Sequence, residues 1–267
     1  MQRSKLFIIT VLVLTGFGQS ASALSKKKLA VDQLHHTLAA PLKLKYGKHA
    51  KPLALSHEYF LSHPAPDFWA LSPYYAGQQT DSSCSAASAV MVLNAVRREM
   101  NLLATDELIT EAALLKHPEL SAWKQAVGPG GSGVTLDQLK SYFSAALKAY
   151  SIENFELEVF HVNDQTPKAL KALRSALVQN EKRGLDFIIA NFLQGTLTGD
   201  AAIGHMAPVG AYDAAKKRVL IMDPDRRWYE PYWVPENVFL AGMATRDPVS
   251  GFTRGFLRVR LSKKKLK

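Results

Sequence analysis

Helical spacing of apolar residues dominates the first half of the chain. Between Ala87 and about Asn101 the apolar positions recur at helical spacing and predict one helix. A second helix is predicted to begin at Thr105, a capping residue followed by two acids. Thr135 and Thr166 cap two further predicted helices, and Gly184 closes the last of them.

The second half changes to short apolar or β-branched runs separated by polar turns, a pattern typical of strands. One alternating run in the first half, residues 155–159, also predicts a strand. The sequence therefore predicts an α+β fold with a cleft between a helical and a strand-rich lobe. The strand-like runs of the second half cover residues 187–192, 205–212, 218–223 and 255–259.

The N-terminus has the basic, apolar and small-residue order of a secretory signal peptide. Two positive charges lie in residues 1–5, residues 6–16 are apolar, and Ala23 ends a small-residue cleavage site. We expect cleavage near Ala23 and an exported protein, either periplasmic or secreted. The apolar run is short for a bilayer span, so we expect no stable membrane insertion, with an uncleaved anchor as the alternative.

Length, composition and charge indicate a globular protein that does not bind nucleic acids. The chain has 267 residues, 47% of them hydrophobic, which fits a globular protein of one sizeable domain or two small ones. The formal net charge is +10, and much of the excess lies in the lysine runs at residues 26–28 and 263–265. These runs are interpreted as solvated termini, and no basic patch interleaved with aromatic residues predicts nucleic-acid binding.

Cys84 is the only cysteine in the chain. A polar turn gives way there to a predicted helix, and a helix N-terminus favours the thiolate form of a cysteine. A lone cysteine is more often a small buried hydrophobe, but an unpaired one in an exported protein is easier to explain by chemistry. Intermolecular pairing remains an alternative. Gln78, six residues earlier, can fold back and donate its amide to an oxyanion beside the sulfur.

His205 and Asp223 are the predicted base and its orienting partner. They lie on two strand-like runs joined by the short turn of residues 213–217. If this turn centres near Ala214, paired residue numbers sum to about 428, which places His205 opposite Asp223. The carboxylate can then fix the imidazole tautomer across a Cβ separation of roughly 4.5–5.5 Å. With Cys84, this predicts acyl transfer through a thioester.

No metal site is predicted. His35 and His36 are adjacent, and two adjacent residues of a strand cannot both face one ion. No second cysteine is present to complete a zinc site around Cys84.

Several motifs occur in one order along the chain. They are Gln78 six residues before Cys84 and residues 87–95, 204–212, 219–223, 232–234 and 253–256. Over about residues 57–262 these motifs resemble the phytochelatin synthases, a papain-like family. The resemblance implies a helical N-terminal lobe carrying the nucleophile and an antiparallel, β-rich C-terminal lobe carrying the histidine and aspartate. The remaining parts are then a signal peptide (1–23), a basic extension (24–56) and a basic tail (263–267).

The resemblance also implies roles for individual residues. Arg254 matches a basic position that looks like the partner of the γ-glutamyl carboxylate, a contact that suits a guanidinium. Arg226 and Asn191 are further candidates for the substrate cleft. Ser85 stands where the family often has glycine, which could tighten the acyl pocket or reflect a bacterial branch. The implied catalytic residues are Cys84 as nucleophile, His205 as general base and acid, Asp223 as orienter and Gln78 as oxyanion donor.

The activity implied is removal of glycine from glutathione through a γ-glutamylcysteinyl thioester on Cys84. Water as the acceptor gives γ-glutamylcysteine, and glutathione as the acceptor gives phytochelatin. Short members like this chain resemble those in which hydrolysis is prominent, so hydrolysis is expected to be the main activity. Glutathione and γ-glutamyl peptides are the expected partners, and a homodimer is left open. No tightly bound cofactor is expected, while Cd, Zn or Cu thiolates of glutathione are candidate substrates or activators.

Two other functions remain open from the sequence. The same three residues would serve a secreted papain-like peptidase that acts on other peptides. The chain could instead be a non-enzymatic periplasmic module that binds metals or thiols through His35, His36 and Cys84.

Overall fold

A computed structural model describes residues 44–98, 100–153, 155–182 and 184–261. The predicted signal peptide, residues 24–43 of the extension and the basic tail lie outside these residues, so the domain boundaries stay predictions. Within the described ranges, no helix is both long and apolar enough to cross a membrane.

Eight α-helices and seven strands lie in the described part of the chain. The helices are α1 (Pro66–Leu71), α2 (Cys84–Arg97), α3 (Glu111–Leu114), α4 (Ser121–Val127), α5 (Leu136–Ala149), α6 (Pro167–Asn180), α7 (Gln194–Thr198) and α8 (Glu236–Met243). The strands are β1 (Lys51–Pro52), β2 (Phe155–His161), β3 (Asp186–Leu193), β4 (Gly204–Asp213), β5 (Arg218–Ile221), β6 (Tyr232–Pro235) and β7 (Gly255–Leu261).

The strands form one sheet in the order β1-β6-β5-β4-β3-β7-β2, and all neighbouring pairs are antiparallel. The strand at one edge, β1, has two residues and comes from the end of the predicted extension. The other edge strand, β2, alternates half-buried and exposed side chains. Helices and an antiparallel sheet confirm the predicted α+β class.

Helix α2 lies in the core and is docked on strand β4. Every residue of α2 after Cys84 is buried, which is expected of a helix whose apolar residues are not confined to one face. Small side chains such as Ala86 and Ala89 let neighbouring elements approach closely. The Ser88 hydroxyl donates a hydrogen bond of 3.1 Å to the Met206 carbonyl of β4. This contact lies one turn beyond Cys84 and one residue beyond His205, so it holds the two together.

The predicted helix caps at Thr135 and Thr166 are confirmed. The Thr135 hydroxyl accepts a hydrogen bond from the Gln138 amide, and the Gln138 side chain accepts one from the Thr135 amide. The Thr166 hydroxyl accepts from Ala169, and Pro167 occupies the first helical position. These local signals fix where α5 and α6 begin because each satisfies amides that a helix leaves without partners.

The helix predicted from Thr105 is wrong. The chain is irregular there, and α3 begins only after Thr110, whose hydroxyl caps it. Asn94 of α2 explains the difference, because its side chain donates to the Ile109 carbonyl at 2.8 Å and accepts from the Ile109 amide at 2.9 Å. Both backbone groups of Ile109 are therefore unavailable to a helix. Helix α2 itself ends at Arg97, before the predicted end.

The register predicted for the β4–β5 hairpin is also wrong. Tyr212 pairs with Val219 and Val209 with Ile221, with a shift in register between these two pairs. The turn occupies residues 214–217, so its centre lies beyond Ala214, and β5 ends before Asp223. Asp223 therefore meets His205 from the segment that follows the strand, not from a paired position within it.

A group of acids lies near α1 and the end of α6. Glu181 accepts hydrogen bonds from the Tyr59 hydroxyl (3.1 Å) and the Tyr212 amide (2.8 Å). Burial nevertheless raises the pKa of Glu181 to about 7. Burial, together with the Glu181 and Asp186 charges, also holds the pKa of Asp67 well above its ordinary value. Both carboxyl groups therefore keep their protons to a higher pH in the folded state than ordinary carboxyl groups do.

The raised pKa of Glu181 predicts a fold that loses stability as pH increases. Because the folded-state pKa lies above the unfolded value, the contribution is fully present below about pH 4.5 and is lost as pH rises through about 7. In Glu181→Gln this dependence should disappear, with a difference of up to about 3 kcal/mol across the range. Thermal or urea unfolding of both proteins at several pH values measures it.

The comparison isolates Glu181 because other titrating groups are common to both proteins. The stability of the wild type minus that of Glu181→Gln should decrease with rising pH. A difference that stays constant from about pH 5 to about pH 8 would show that Glu181 titrates normally.

Candidate active site

The predicted histidine and aspartate lie in direct contact. His205 Nε2 is 2.7 Å from Asp223 Oδ1, and the two residues are 6% and 0% exposed. Burial alone would lower the pKa of His205, but the Asp223 carboxylate and then Cys84 raise it well above its ordinary value. Burial would raise the pKa of Asp223, yet His205 and other donors keep it low. The geometry therefore favours an imidazolium–carboxylate pair.

Asp223 accepts three further hydrogen bonds. The Tyr232 hydroxyl (2.8 Å) and Gln194 Nε2 (3.3 Å) donate to Oδ2, and the Asp225 amide (2.9 Å) donates to Oδ1. These donors fix the carboxylate in one orientation towards His205. Sequence reasoning missed Tyr232 and Gln194 as parts of the site, since only the fold brings them beside Asp223.

Cys84 is the first residue of α2 and is half-buried. A hydrogen bond between the Cys84 side chain and His205 is among the interactions that raise the pKa of His205. His205 Nε2 already faces Asp223, so Nδ1 is the ring nitrogen left for the sulfur. The structure thus brings together the three residues predicted from the sequence as nucleophile, base and orienter.

A cavity of about 830 Å³ opens beside the sulfur. This volume is typical of pockets for small molecules. Arg254 and Asn191, two of the predicted substrate residues, lie on its wall, and both are buried. The lining also includes Asp81, residues 129–135, Ile203, Gly204, Met206 and residues 247–249.

Arg254 is held at the wall through one edge of its guanidinium. Its Nη1 donates to the Arg246 carbonyl at 2.6 Å and to the Thr245 hydroxyl at 3.2 Å. The opposite edge lies over Gly204, where an added Cβ would be 3.0 Å from Nη2 and 3.4 Å from Nε. Burial lowers the pKa of Arg254, and the nearby Asp247 charge opposes this. Gly204 therefore leaves room for an arginine whose second edge can meet a ligand.

Gln78 and Arg226 do not line this cavity within the described structure. Gln78 Nε2 donates to the Thr80 carbonyl at 3.0 Å, and its Oε1 is buried without a partner among the described residues. Arg226 lies over the Tyr75 ring, 4.5 Å from its centroid, and the Tyr75 hydroxyl donates to the Asp223 carbonyl. Arg226 thus lies behind the aspartate, and the substrate roles of both residues stay predictions.

Ser85 does not face the acyl position. It is 1% exposed, and its hydroxyl accepts a hydrogen bond of 3.0 Å from Trp123 Nε1. The idea that Ser85 tightens the acyl pocket is therefore wrong, because its side chain points into the core and leaves the cavity to Cys84.

Residues 129–133 belong to a glycine-rich loop that lines the cavity together with the turn before Cys84. Thr80 Oγ1 donates to the Val127 carbonyl at 2.6 Å, and Ser82 Oγ donates to the Gly128 carbonyl at 3.1 Å. These two bonds hold the start of the loop against the turn before Cys84.

No group of three or more His, Cys, Asp or Glu side chains is arranged to hold a metal ion anywhere in the described ranges. His35 and His36, the proposed metal-binding pair, lie outside those ranges.

Comparison with known proteins identifies the family. The sequence model for "Phytochelatin synthase" matches residues 54–256, which is most of the chain. The chain belongs to the phytochelatin synthase family. The matched range includes the site residues Cys84, His205, Asp223 and Arg254.

Individual relatives match this chain over shorter stretches than the family model does. Glutathione gamma-glutamylcysteinyltransferase 1 of Triticum aestivum is 43% identical over 56 residues, 21% of this chain and 11% of the relative. Glutathione gamma-glutamylcysteinyltransferase 3 of Lotus japonicus is 32% identical over 102 residues, 38% of this chain and 20% of the relative. Glutathione gamma-glutamylcysteinyltransferase 1 of Arabidopsis thaliana is 38% identical over 56 residues, 21% of this chain and 12% of the relative. The matches thus span at most about a fifth of these relatives' length.

The buried carboxylate predicts the protonation of His205. In Asp223→Asn the pKa of the imidazole should fall, because the opposite charge is lost. In Cys84→Ala the decrease should be smaller, because Asp223 outweighs Cys84 in raising this pKa. NMR titration of the ring nitrogens measures both changes, with thermal unfolding as the control for folding. Equal pKa values in wild type and Asp223→Asn would contradict the ion pair.

Proposed function

We propose that this protein removes glycine from glutathione by acyl transfer to Cys84. The observation that carries this proposal is a cavity lined by Cys84, Arg254 and His205, the last of which is paired with Asp223 behind the wall. Membership of the phytochelatin synthase family and relatives named glutathione gamma-glutamylcysteinyltransferase support it.

In this proposal the active site has a papain-like arrangement. The helices around α2 correspond to the lobe that carries the nucleophile, and the antiparallel sheet corresponds to the lobe that carries His205 and Asp223. The cavity beside Cys84 is then the cleft between them. Cys84 is the first residue of α2, so backbone amides without helical partners lie next to the sulfur.

At the start of acylation the proton shared by Cys84 and His205 lies on His205 Nδ1, because Asp223 and Cys84 raise the pKa of the imidazole. The sulfur attacks the carbonyl carbon of the cysteinyl residue of glutathione, and the Cys84 amide stabilises the oxyanion. When the C–N bond breaks, His205 returns the proton to the amine of the departing glycine. Gln78 would join the oxyanion site after a side-chain rotation that releases the Thr80 carbonyl, since its amide now donates there.

The γ-glutamyl end of glutathione carries one carboxylate and one ammonium group. In the proposed complex, Arg254 binds the carboxylate through the guanidinium edge that lies over Gly204. Asp247, which is within electrostatic reach of Arg254, complements the ammonium. Asn191 is buried on the same wall and offers its amide to the backbone of the substrate.

Two acceptors can release the acyl group, and water is proposed to be the main one. Attack by water gives γ-glutamylcysteine, whereas attack by the amine of a second glutathione gives phytochelatin. Cd, Zn or Cu thiolates of glutathione are proposed as alternative substrates or activators. The setting is proposed to be outside the cytoplasm, after removal of the N-terminal signal near Ala23.

Loss of the nucleophile should abolish both reactions. Purified mature protein should convert glutathione to glycine and γ-glutamylcysteine, and Cys84→Ala should be at least about a thousandfold slower. Mass spectrometry quantifies the products and, after rapid acid quench of the wild type, detects the γ-glutamylcysteinyl adduct on Cys84.

Casein and a peptide library, incubated in parallel, test the competing peptidase function. Cleavage of those peptides while glutathione stays intact would show that the chain is a peptidase of different specificity. Circular dichroism of Cys84→Ala controls for its folding.

Gly204→Ala should weaken glutathione binding because the new methyl group crowds the Arg254 guanidinium. We expect KM for glutathione to rise about threefold to tenfold, with a smaller change in kcat. Steady-state kinetics measure the effect.

A double-mutant cycle tests whether the effect passes through the arginine. In the Arg254→Ala background, Gly204→Ala should add little, because the crowded group is absent. An equally large effect of Gly204→Ala in both backgrounds would contradict the proposed contact.

A further inference from the structure

Asp81 is an exposed acid on the wall of the cavity, three residues before the nucleophile. Among the described residues, none donates a hydrogen bond to its carboxylate. The turn that carries it is well fixed, because the Ser83 hydroxyl accepts from the amides of Gln79 and Thr80. The proposed steps of acylation leave Asp81 without a role.

Asp81 belongs to the part of the cavity that contains His205. The Asp225 amide donates to Asp223 Oδ1, directly behind the His205 ring. The Gln78 amide donates a hydrogen bond of 2.8 Å to the Pro224 carbonyl, so the turn that carries Asp81 lies against the segment in which Asp223 meets His205. In agreement with this, burial and then the Asp223 and Asp81 charges raise the pKa of Asp225, and the His205 charge lowers it.

The other acid of the cavity, Asp247, lies with Arg254. This pair matches the carboxylate and ammonium of the γ-glutamyl group, so Asp247 is used in binding the acyl donor. The glycine end of the donor carries a carboxylate, which Asp81 would repel. Asp81 is thus poorly suited to the donor and needs another explanation.

The acceptor must occupy the place that glycine leaves, beside His205. His205 protonates the leaving amine, and it must likewise take a proton from the incoming acceptor, since the second half-reaction retraces the first. A residue that lines the cavity near His205, such as Asp81, is therefore in a position to contact the acceptor.

We propose that Asp81 is a specificity residue that increases the share of the acyl group passed to an amine instead of to water. This inference rests on the proposed function and names the feature that allows transfer in addition to hydrolysis. The acceptor it fits is a molecule with a primary α-amine, such as a second glutathione.

The chemistry of the amine explains the preference. The neutral amine donates a hydrogen bond to Asp81 and directs its lone pair at the thioester carbonyl. As the new C–N bond forms, positive charge develops on nitrogen, and the nearby carboxylate stabilises it. His205 then takes the nitrogen's proton, the C–S bond breaks, and the Cys84 thiolate is regenerated. Water passes its proton to His205 as it attacks, so it gains less from the carboxylate.

The test compares product ratios in the full mature protein. Wild type, Asp81→Asn, Asp81→Glu and Asp247→Asn are each incubated with glutathione over a wide range of concentration. Mass spectrometry quantifies the hydrolysis product, γ-glutamylcysteine, and the transfer product, in which a second γ-glutamylcysteinyl unit is added to glutathione.

In Asp81→Asn the ratio of transfer to hydrolysis should fall about tenfold, which is the size expected for removing one electrostatic contact from the transition state. Asp81→Glu keeps the charge and should recover part of the ratio. Asp247→Asn is the matched control, because loss of a donor contact should slow both products and leave their ratio within about twofold.

An unchanged ratio in Asp81→Asn, with both products formed, would overturn this inference and leave the proposed function intact. A wild type that forms γ-glutamylcysteine but no transfer product at any glutathione concentration would also overturn it. A wild type that forms neither product would overturn the proposed function, and the inference with it.

Discussion

The buried charge of Asp223 is the interaction on which the site depends. A carboxylate with no exposed surface is tolerated only when it is paired and its oxygens accept hydrogen bonds. His205, Tyr232 and Gln194 supply these partners from three different elements of the chain. Removing one partner of such a buried pair typically costs about 3–5 kcal/mol. The same pairing that stabilises the sheet's centre therefore also fixes the orientation of the imidazole.

The sequence predicted correctly those structural features that depend only on residues close together in the chain. The caps at Thr135 and Thr166 were right because each acts within one turn of helix. The helix from Thr105 was wrong because Asn94, from another element, binds both backbone groups of Ile109. Contacts between distant elements compete with local preference, and only the fold shows which of them wins.

In the candidate site, too, some residues could be predicted from the sequence and others only from the fold. Cys84, His205 and Asp223 were predicted as a set from their chemistry, although the predicted hairpin register does not produce their contact. The sequence did not predict that Gly204 helps to position Arg254, because Gly204 acts only by leaving space for the guanidinium. A residue that acts by its small size or by its backbone leaves little signal in a single sequence, whereas a nucleophile and its base leave a strong one.

The two edges of the sheet restrict how copies of this chain can associate. Pro52 in β1 has no amide hydrogen to offer a neighbouring strand, and Lys51 beside it is charged and exposed. On the opposite edge, β2 exposes Glu156 and Glu158, which would face like charges in an antiparallel copy. Growth of the described sheet by strand addition is thus disfavoured at both of its edges.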